Sequence, residues 1–327
     1  MDSRTLIHKV IRFDGAPRIG YNLPEPWPND FAWGGIAAAP DFVERRWTEG
    51  REEFWTDEWG NTWHRLRGLS QGGEVARGAL EEWDRLDAYR PPDLGLESRY
   101  EGARKAFAAA PDKYHLGGLP GCAFNISRYT RRIENYLADC LLEPARVRRL
   151  SGLVMDEVEK AVHRMADAGA DGVFFCEDWG TQERLLMSPR TFRDLFLPEI
   201  ERLCRAAAGL GLDVWMHSCG YIWEIIEDLI RAGIRVLQFD QPSLYGVEWL
   251  DDAFGGRVAF ECPVDIQRTL QTRDAAKIRD EARRLCRRLG GHGGGFVACR
   301  YGDEPGIGLE PQWQDAACEA FVAFGGG

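Results

Sequence analysis

From about residue 113 onward, short apolar runs alternate with amphipathic stretches of helical period. The runs are rich in β-branched and aromatic residues and end in polar turns, as buried strands do. Each is followed by a segment in which apolar residues recur every three or four positions, as in helices that cover a sheet. The alternation therefore predicts a parallel sheet with helices outside it. The predicted strands are residues 114–117, 172–176, 212–219, 234–240, 258–262 and 295–299.

The number and order of these units favour a closed barrel. The 327 residues are enough for eight βα units and extensions within a single domain. No glycine-rich turn with the spacing GxGxxG opens a helix, so the chain lacks the fingerprint of a dinucleotide-binding sheet. We expect an α/β protein with a (β/α)8 barrel, and an open doubly wound sheet is the alternative.

The first 110 residues have a different pattern. They contain seven tryptophans and no regular alternation of strand and helix. We expect one domain over residues 1–327, in which an irregular, Trp-rich N-terminal extension (1–110) packs on the βα units of the barrel (111–327). Trp59 is a candidate for stacking on a planar ligand in this extension, although tryptophan more often fills a core.

Composition limits the partners and the compartment. The net charge of −11 argues against a surface that binds nucleic acid or an anionic membrane. No apolar run approaches the length of a membrane span, and the N-terminus lacks the pattern of a signal peptide. Nine cysteines in such a chain argue against a disulfide framework. We therefore expect a cytoplasmic protein with free cysteines, and a homodimer stays open.

A metal site is predicted at the end of the strand over residues 212–219. His217 and Cys219 are two positions apart, so on a regular strand both side chains lie on one face. An imidazole and a thiolate on one face form half of a tetrahedral zinc site. Cys299, at the end of another strand, is the candidate third ligand, and Cys262 competes with it. The alternative is a hydrogen-bonded core histidine with cysteines that only pack.

An acidic turn follows the strand over residues 172–176. Asp178 and Gln182 lie there, at the strand end where barrels place their chemistry. Asp178 is a candidate to bind a cation, act as an acid or base, or orient a ligand, and the alternative is that it caps its own turn. We expect Glu177 to face packing or solvent. Trp179 and Asp240, which also follow strands, are candidates to contact substrate together with Trp59.

The order of several short motifs resembles the uroporphyrinogen decarboxylase superfamily, and within it the cobamide-dependent methyltransferases. No motif is specific alone, but their order along almost the whole chain is. They are Asp-Glu-Trp-Gly at 57–60, Glu-Asp-Trp-Gly-Thr-Gln at 177–182 with Ser-Pro at 188–189, His-Ser-Cys-Gly at 217–220, Val-Asp-Ile-Gln at 264–267 and Gly-Gly-Phe at 294–296.

The resemblance implies a TIM barrel that transfers methyl groups with zinc. It implies that His217, Cys219 and Cys299 hold the metal, although the strand around Cys299 departs from the family's Gly-Cys pattern. It also implies that Asp178 and Gln182 orient the substrate. The implied reaction moves a methyl group between a small methylated compound (an aryl methyl ether, a methylamine or a thiol) and a corrinoid, carried as a methylcobamide by a partner protein.

Three alternatives differ in chemistry. A porphyrinogen decarboxylase needs arginines near the N-terminus to hold its many carboxylates, and only Arg12 and Arg18 occur there, without the family's motif. A barrel that binds a small molecule without catalysis would carry neither zinc nor a corrinoid partner. A zinc-free methyltransferase based on carboxylates would keep its activity after Cys219→Ala.

Overall fold

The computed structural model describes residues 1–69 and 72–326. In chain order its strands are β1 (Gly20–Asn22), β2 (Phe31–Gly34), β3 (Arg46–Glu49), β4 (Glu52–Thr56), β5 (Thr62–Leu66), β6 (Glu74–Arg77), β7 (Tyr114–Gly118), β8 (Gly172–Cys176), β9 (Asp213–His217), β10 (Val236–Gln238), β11 (Ala259–Cys262) and β12 (Phe296–Cys299). The α-helices are α1 (Ser3–Arg12), α2 (Glu101–Ala109), α3 (Ala123–Arg131), α4 (Ile133–Leu142), α5 (Pro144–Asp167), α6 (Pro189–Leu195), α7 (Leu197–Gly209), α8 (Trp223–Ala232), α9 (Pro242–Tyr245), α10 (Val247–Phe254), α11 (Ala275–Leu289) and α12 (Pro311–Gly325). No helix in these ranges is long and apolar enough to cross a membrane.

Eight parallel strands form a nearly closed barrel, in the order β1-β12-β11-β10-β9-β8-β7-β2. At the seam between β1 and β2, Asp30 takes the place of a strand ladder. Its backbone N–H donates to the Tyr21 carbonyl at 2.7 Å, and its carboxylate accepts from the Tyr21 N–H at 2.8 Å. The predicted barrel is confirmed, and the open sheet is not what the chain forms.

The inside of the barrel has an apolar lower layer and a polar upper layer. Trp215, Val236 and Ala259 are register partners on β9, β10 and β11, and they pack in one buried cluster with residues of α1, which closes the bottom. Two positions further along these strands, on the same face, come the register partners His217, Gln238 and Glu261. The polar layer therefore lies at the carboxyl ends of the strands, where barrel enzymes work.

The N-terminal region is more regular than we expected. It supplies β1 and β2 to the barrel, so residue 110 does not separate an extension from the barrel strands. Four other strands of this region form a second, antiparallel sheet, in the order β3-β4-β5-β6. Several of its tryptophans form cross-strand pairs, such as Trp47 on Phe54 (5.4 Å between ring centroids) and Trp55 on Trp63 (6.1 Å). These strands of four or five residues carry aromatic and charged residues on both faces, which hides their period.

The helical segment that follows β8 is divided in two, α6 and α7. Ser188 caps α6, because its hydroxyl accepts from the Thr191 N–H at 3.0 Å. The helix then breaks at Phe196, and α7 starts with Pro198 in its first turn. Proline has no N–H to donate, so it is tolerated at the start of a helix and not inside one.

Candidate metal centre at the barrel mouth

The end of β9 brings three possible metal ligands together. The Nε2 atom of His217 lies 3.2 Å from the Cys219 sulfur and 3.4 Å from Oδ1 of Asp178. The ligand atoms of the three residues all lie within 4.8 Å of one another. Asp178 comes from the turn after β8, and β8 and β9 are neighbours in register. Two of the three predicted ligands are therefore adjacent, and a carboxylate from the next strand joins them.

The geometry and chemistry of this group fit zinc. Bonds of about 2.0 Å to nitrogen or oxygen and about 2.3 Å to sulfur, at tetrahedral angles, place ligand atoms roughly 3.3–3.6 Å apart. The two distances from Nε2 of His217 are close to these values. Nitrogen, thiolate and carboxylate are all ligands that zinc accepts, and three of them leave one position for substrate.

A chain of side chains orients the imidazole. Nδ1 of His217 contacts Oε1 of Gln238, which can only accept, so Nδ1 carries a proton, and Nε2 is the ring nitrogen that faces the Cys219 sulfur and the Asp178 carboxylate. The Gln238 amide nitrogen in turn donates to Oδ1 of Asp240 at 2.9 Å. Metal-binding histidines are usually fixed in this way. Asp240, predicted to contact substrate, therefore also positions His217 through Gln238.

Asp178 is held in its charged form. Burial raises its pKa, but His217 and the Arg128 guanidinium, 2.9 Å from Oδ2, outweigh burial and hold the pKa well below its usual range. Oδ1 accepts the backbone N–H of Cys219 at 3.0 Å. The carboxylate therefore bonds to the neighbouring strand end and not to its own turn, which was the alternative role for Asp178.

Glu177 anchors the helix that supplies Arg128. It is fully buried, and its carboxylate accepts the backbone N–H groups of Cys122, Phe124 and Asn125 at the start of α3, at 2.9–3.0 Å. Burial raises the pKa of Glu177 to about 8, while these three donors and Arg128 act in the opposite direction. Its position agrees with the expected packing role and adds three hydrogen bonds to it.

The two candidate third thiols lie apart from this group. Cys299 is buried, with its sulfur 3.9 Å from the Gln238 amide nitrogen, and it is not among the clustered ligand atoms of the described residues. Cys262 follows Glu261 on β11 and packs in the core on the side of the helices. The structure thus offers Asp178 at the third position, and a role for Cys299 in metal binding stays a prediction.

Glu261 is a site residue that the sequence analysis missed. It is 2% exposed, and its Oε1 accepts from the Asn22 amide at 2.7 Å. Burial raises its pKa to about 7, so the group exchanges a proton near neutral pH. The sequence offered one indication of this residue, a single carboxylate within the apolar run 258–262. Charged side chains are rarely buried unless they are paired.

The residues predicted to contact or orient the substrate differ in exposure and in position. Trp179 is 1% exposed and stacks on Phe124 (4.4 Å between centroids), and Trp59 is also buried in the core, where its carbonyl accepts from the Tyr89 hydroxyl. Neither ring lies open at the barrel mouth. Gln182 donates to the Gln241 side chain at 3.2 Å, in the turns that follow β8 and β10.

A cavity of about 590 Å³ opens at the mouth beside Cys299. Asn22, the register partner of Cys299, is part of its wall. Leu23, Pro24 and Asn29 also contribute, and the aromatic and charged side chains of the wall are Trp33, Tyr301, Arg300, Glu25 and Glu304. Trp33 is 41% exposed, so the structure offers this tryptophan to a ligand in place of the two predicted ones.

Comparison with known proteins agrees with the motifs. The family model for uroporphyrinogen decarboxylase (URO-D) matches residues 70–324, most of the chain. The chain belongs to the uroporphyrinogen decarboxylase family. This match includes the strands that carry the candidate metal centre and excludes β1 and β2. No curated protein sequence matches the chain.

Solved structures support the fold of this family member. A methyltransferase from Methanosarcina mazei superposes with a TM-score of 0.62 at 16% identity, covering 78% of this chain and 73% of the other. A D-psicose 3-epimerase from Clostridium cellulolyticum H10 gives 0.43 at 11% identity, covering 74% and 85%. At these identities the first similarity establishes a common barrel fold, and the second carries no further argument.

Proposed function

We propose that the protein is a zinc-dependent methyltransferase of a corrinoid system. It would move a methyl group between a small methylated substrate and the corrinoid of a partner protein docked over the barrel mouth. The observation that carries this proposal is the cluster of His217, Cys219 and Asp178 at the strand ends. Membership in the family and the fold shared with a methyltransferase support it.

Each residue of the site has a separate role in this proposal. Zinc, when bound, supplies a Lewis acid for the heteroatom that carries or receives the methyl group. Gln238 and Asp240 keep the imidazole of His217 in the orientation that presents Nε2. In transfer from the substrate, the heteroatom would keep the electron pair of its broken bond to the methyl carbon, and the partner's corrinoid would supply the pair for the new bond. Glu261, protonated below pH 7, can supply the proton that neutralises this heteroatom.

The placement of the arginines argues against decarboxylation of a porphyrinogen. Arg18 is paired with Asp30 at 2.7 Å beside the seam, and Arg12 ends α1, which closes the opposite end of the barrel. At the mouth, Arg128 is bound to Asp178 and Arg300 to Glu304 and Asp315. A substrate with many carboxylates needs unpaired arginines at the reacting end.

Metal content of the purified protein is the decisive measurement. We expect about one zinc per chain, from the three protein ligands of a catalytic site. His217→Ala and Cys219→Ala should lose the metal, and Cys286→Ala, a buried thiol on α11, should keep it. Comparison of Asp178→Asn with Cys299→Ala identifies the third ligand. A wild-type protein without zinc under metal-replete conditions would refute the proposal, as would unchanged methyl transfer with free cobalamin after Cys219→Ala.

A further inference from the structure

The cavity at the barrel mouth has the chemistry of a cation site. Two aromatic side chains, Trp33 and Tyr301, and two carboxylates, Glu25 and Glu304, are part of its wall. Aromatic faces attract a cation through their quadrupole, and carboxylates do so through their charge. The combination favours a positively charged ligand over a neutral or anionic one.

The one arginine of the cavity is already neutralised. Arg300 contacts Glu304 and lies 2.6 Å from a carboxylate oxygen of Asp315. These three residues together carry a net charge of −1. Glu25 adds another negative charge, and it forms no ion pair within residues 1–69 and 72–326. A ligand in the cavity therefore meets a negative field.

The aromatic walls are held in place by polar contacts. The indole nitrogen of Trp33 donates to the Asn22 side chain at 3.3 Å, and its ring meets Phe174 edge to face at 5.4 Å. The backbone N–H and carbonyl of Tyr301 are both bonded at 2.9 Å to Gln314, which is buried. The Trp33 ring and the Tyr301 backbone are thus fixed before a ligand binds, which reduces the entropy lost on binding.

The polar layer of the barrel connects the cavity to the metal centre. Glu261, Gln238 and His217 are register partners on β11, β10 and β9, and Gln238 contacts Nδ1 of His217. Asn22, in the cavity wall, bonds to Glu261 at one end of this row. A molecule with its head in the cavity can thus extend toward the metal centre.

We propose that the substrate has an ammonium group at one end, bound between Trp33 and Tyr301, and a methylated or methyl-accepting sulfur or oxygen at the other end. This inference rests on the proposed function for the reacting end only. The head is recognised by the cavity without the metal. Anionic substrates such as sulfonated thiols are disfavoured by the same negative field.

Calorimetric titration with choline and with its neutral isostere 3,3-dimethyl-1-butanol tests the head site. We expect choline to bind at least about tenfold more tightly, and Trp33→Ala to abolish most of that preference. Trp33→Phe should keep part of it, which separates loss of the aromatic face from misfolding. Trp249→Ala, an exposed tryptophan on the outer helix α10, is the matched control and should bind as the wild type does.

Charge is tested separately. Glu25→Gln should weaken choline binding severalfold and reduce its dependence on salt. Among three thiols of similar size, 2-aminoethanethiol should accept a methyl group from methylcobalamin in preference to 2-mercaptoethanol, and 2-mercaptoethanesulfonate should be poorest. Equal binding of choline and its isostere, or a preference for the sulfonate, would overturn the inference.

The two proposals fail in different ways. If the protein binds zinc and transfers methyl groups but shows no preference for cations, this inference is wrong and the proposed function stands. Selective binding of choline by a protein without zinc or methyl transfer would remove the proposed function and leave the cation site.

Discussion

The Asn22 amide donates a 2.7 Å hydrogen bond to Oε1 of Glu261, so β1 is joined to β11 across the intervening strand β12. Because burial raises the pKa of Glu261 to about 7, the folded protein binds this proton more tightly than the unfolded chain does.

Glu261→Gln should therefore stabilise the protein at alkaline pH. The raised pKa means that the wild-type carboxyl is tolerated below pH 4.5 and costs stability progressively as the pH rises through 7. Glutamine can still accept from Asn22 and carries no charge. We expect a gain of about 1–3 kcal/mol at pH 8 and little change near pH 4, measured by thermal unfolding across pH. Destabilisation at every pH would mean that the charge has a partner in the folded state.

His8 should give the opposite kind of pH dependence. It lies 3.7 Å from Asp171 and 3.4 Å from Asp213, and these carboxylates raise its pKa to about 9. A raised histidine pKa stabilises the fold fully below pH 6.5, and this stabilisation is lost as the pH rises through 9. His8→Gln should cost about 1–2 kcal/mol at pH 6 and almost nothing at pH 10. Chemical denaturation at both pH values measures this, and an equal loss at both would exclude the ionic contribution.

Glu177→Gln tests the anchor of α3. Three backbone N–H groups point at this carboxylate, so an amide nitrogen in place of one oxygen would face donors with another donor. At least one of these N–H groups would lose its acceptor, so we expect a loss of about 1–3 kcal/mol in the free energy of unfolding, measured in urea below pH 4.5, where the carboxyl is neutral in the folded and the unfolded chain and removal of the charge contributes nothing. Glu319→Gln, at an exposed position on α12, is the control and should change stability by less than about 0.5 kcal/mol. If Glu177→Gln and Glu319→Gln are equally stable, Glu177 does not anchor α3.

Gln238→Ala tests the support of the metal centre. Without the Oε1 acceptor, the His217 ring loses the contact that fixes its tautomer and orientation. Zinc affinity should fall by about 10–100-fold, measured by competition with a chelator. Gln312→Ala, at the exposed start of α12, should leave the affinity unchanged. An unaltered affinity in Gln238→Ala would mean that His217 is held by its other contacts.

The sequence predicted those parts of the protein that can be located from the hydrophobic period of a segment and from the position of a residue on its strand. The strand ending at Cys176 was located from its apolar run, and the adjacency of His217 and Cys219 followed from the two-residue period of a strand. β1 has three residues, too few for any period to emerge. The direction of Trp179 was also beyond prediction, because the residue lies in a turn, where no regular period orients side chains.

Pairings between distant segments account for the other differences. Asp178 lies beside His217 because β8 is a direct neighbour of β9, whereas β12, which carries Cys299, lies three strands away from β9. The pairing of Glu261 with Asn22 spans 239 positions of sequence. Such contacts depend on which strands become neighbours when the barrel closes, and this cannot be derived from a single sequence.

The seam between β1 and β2 is the one junction of neighbouring barrel strands among the described residues that has no ladder of backbone hydrogen bonds. Elsewhere, neighbouring strands are joined by ladders, whereas here Asp30 bridges the gap with its backbone and its carboxylate, and the Trp33 indole donates to the Asn22 side chain across it. Asn22 and Trp33 also form part of the cavity wall. Spreading the seam would therefore break these few hydrogen bonds, widen the cavity and leave every ladder intact. With the proposed partner protein over the mouth, a ligand could still enter through this part of the barrel wall.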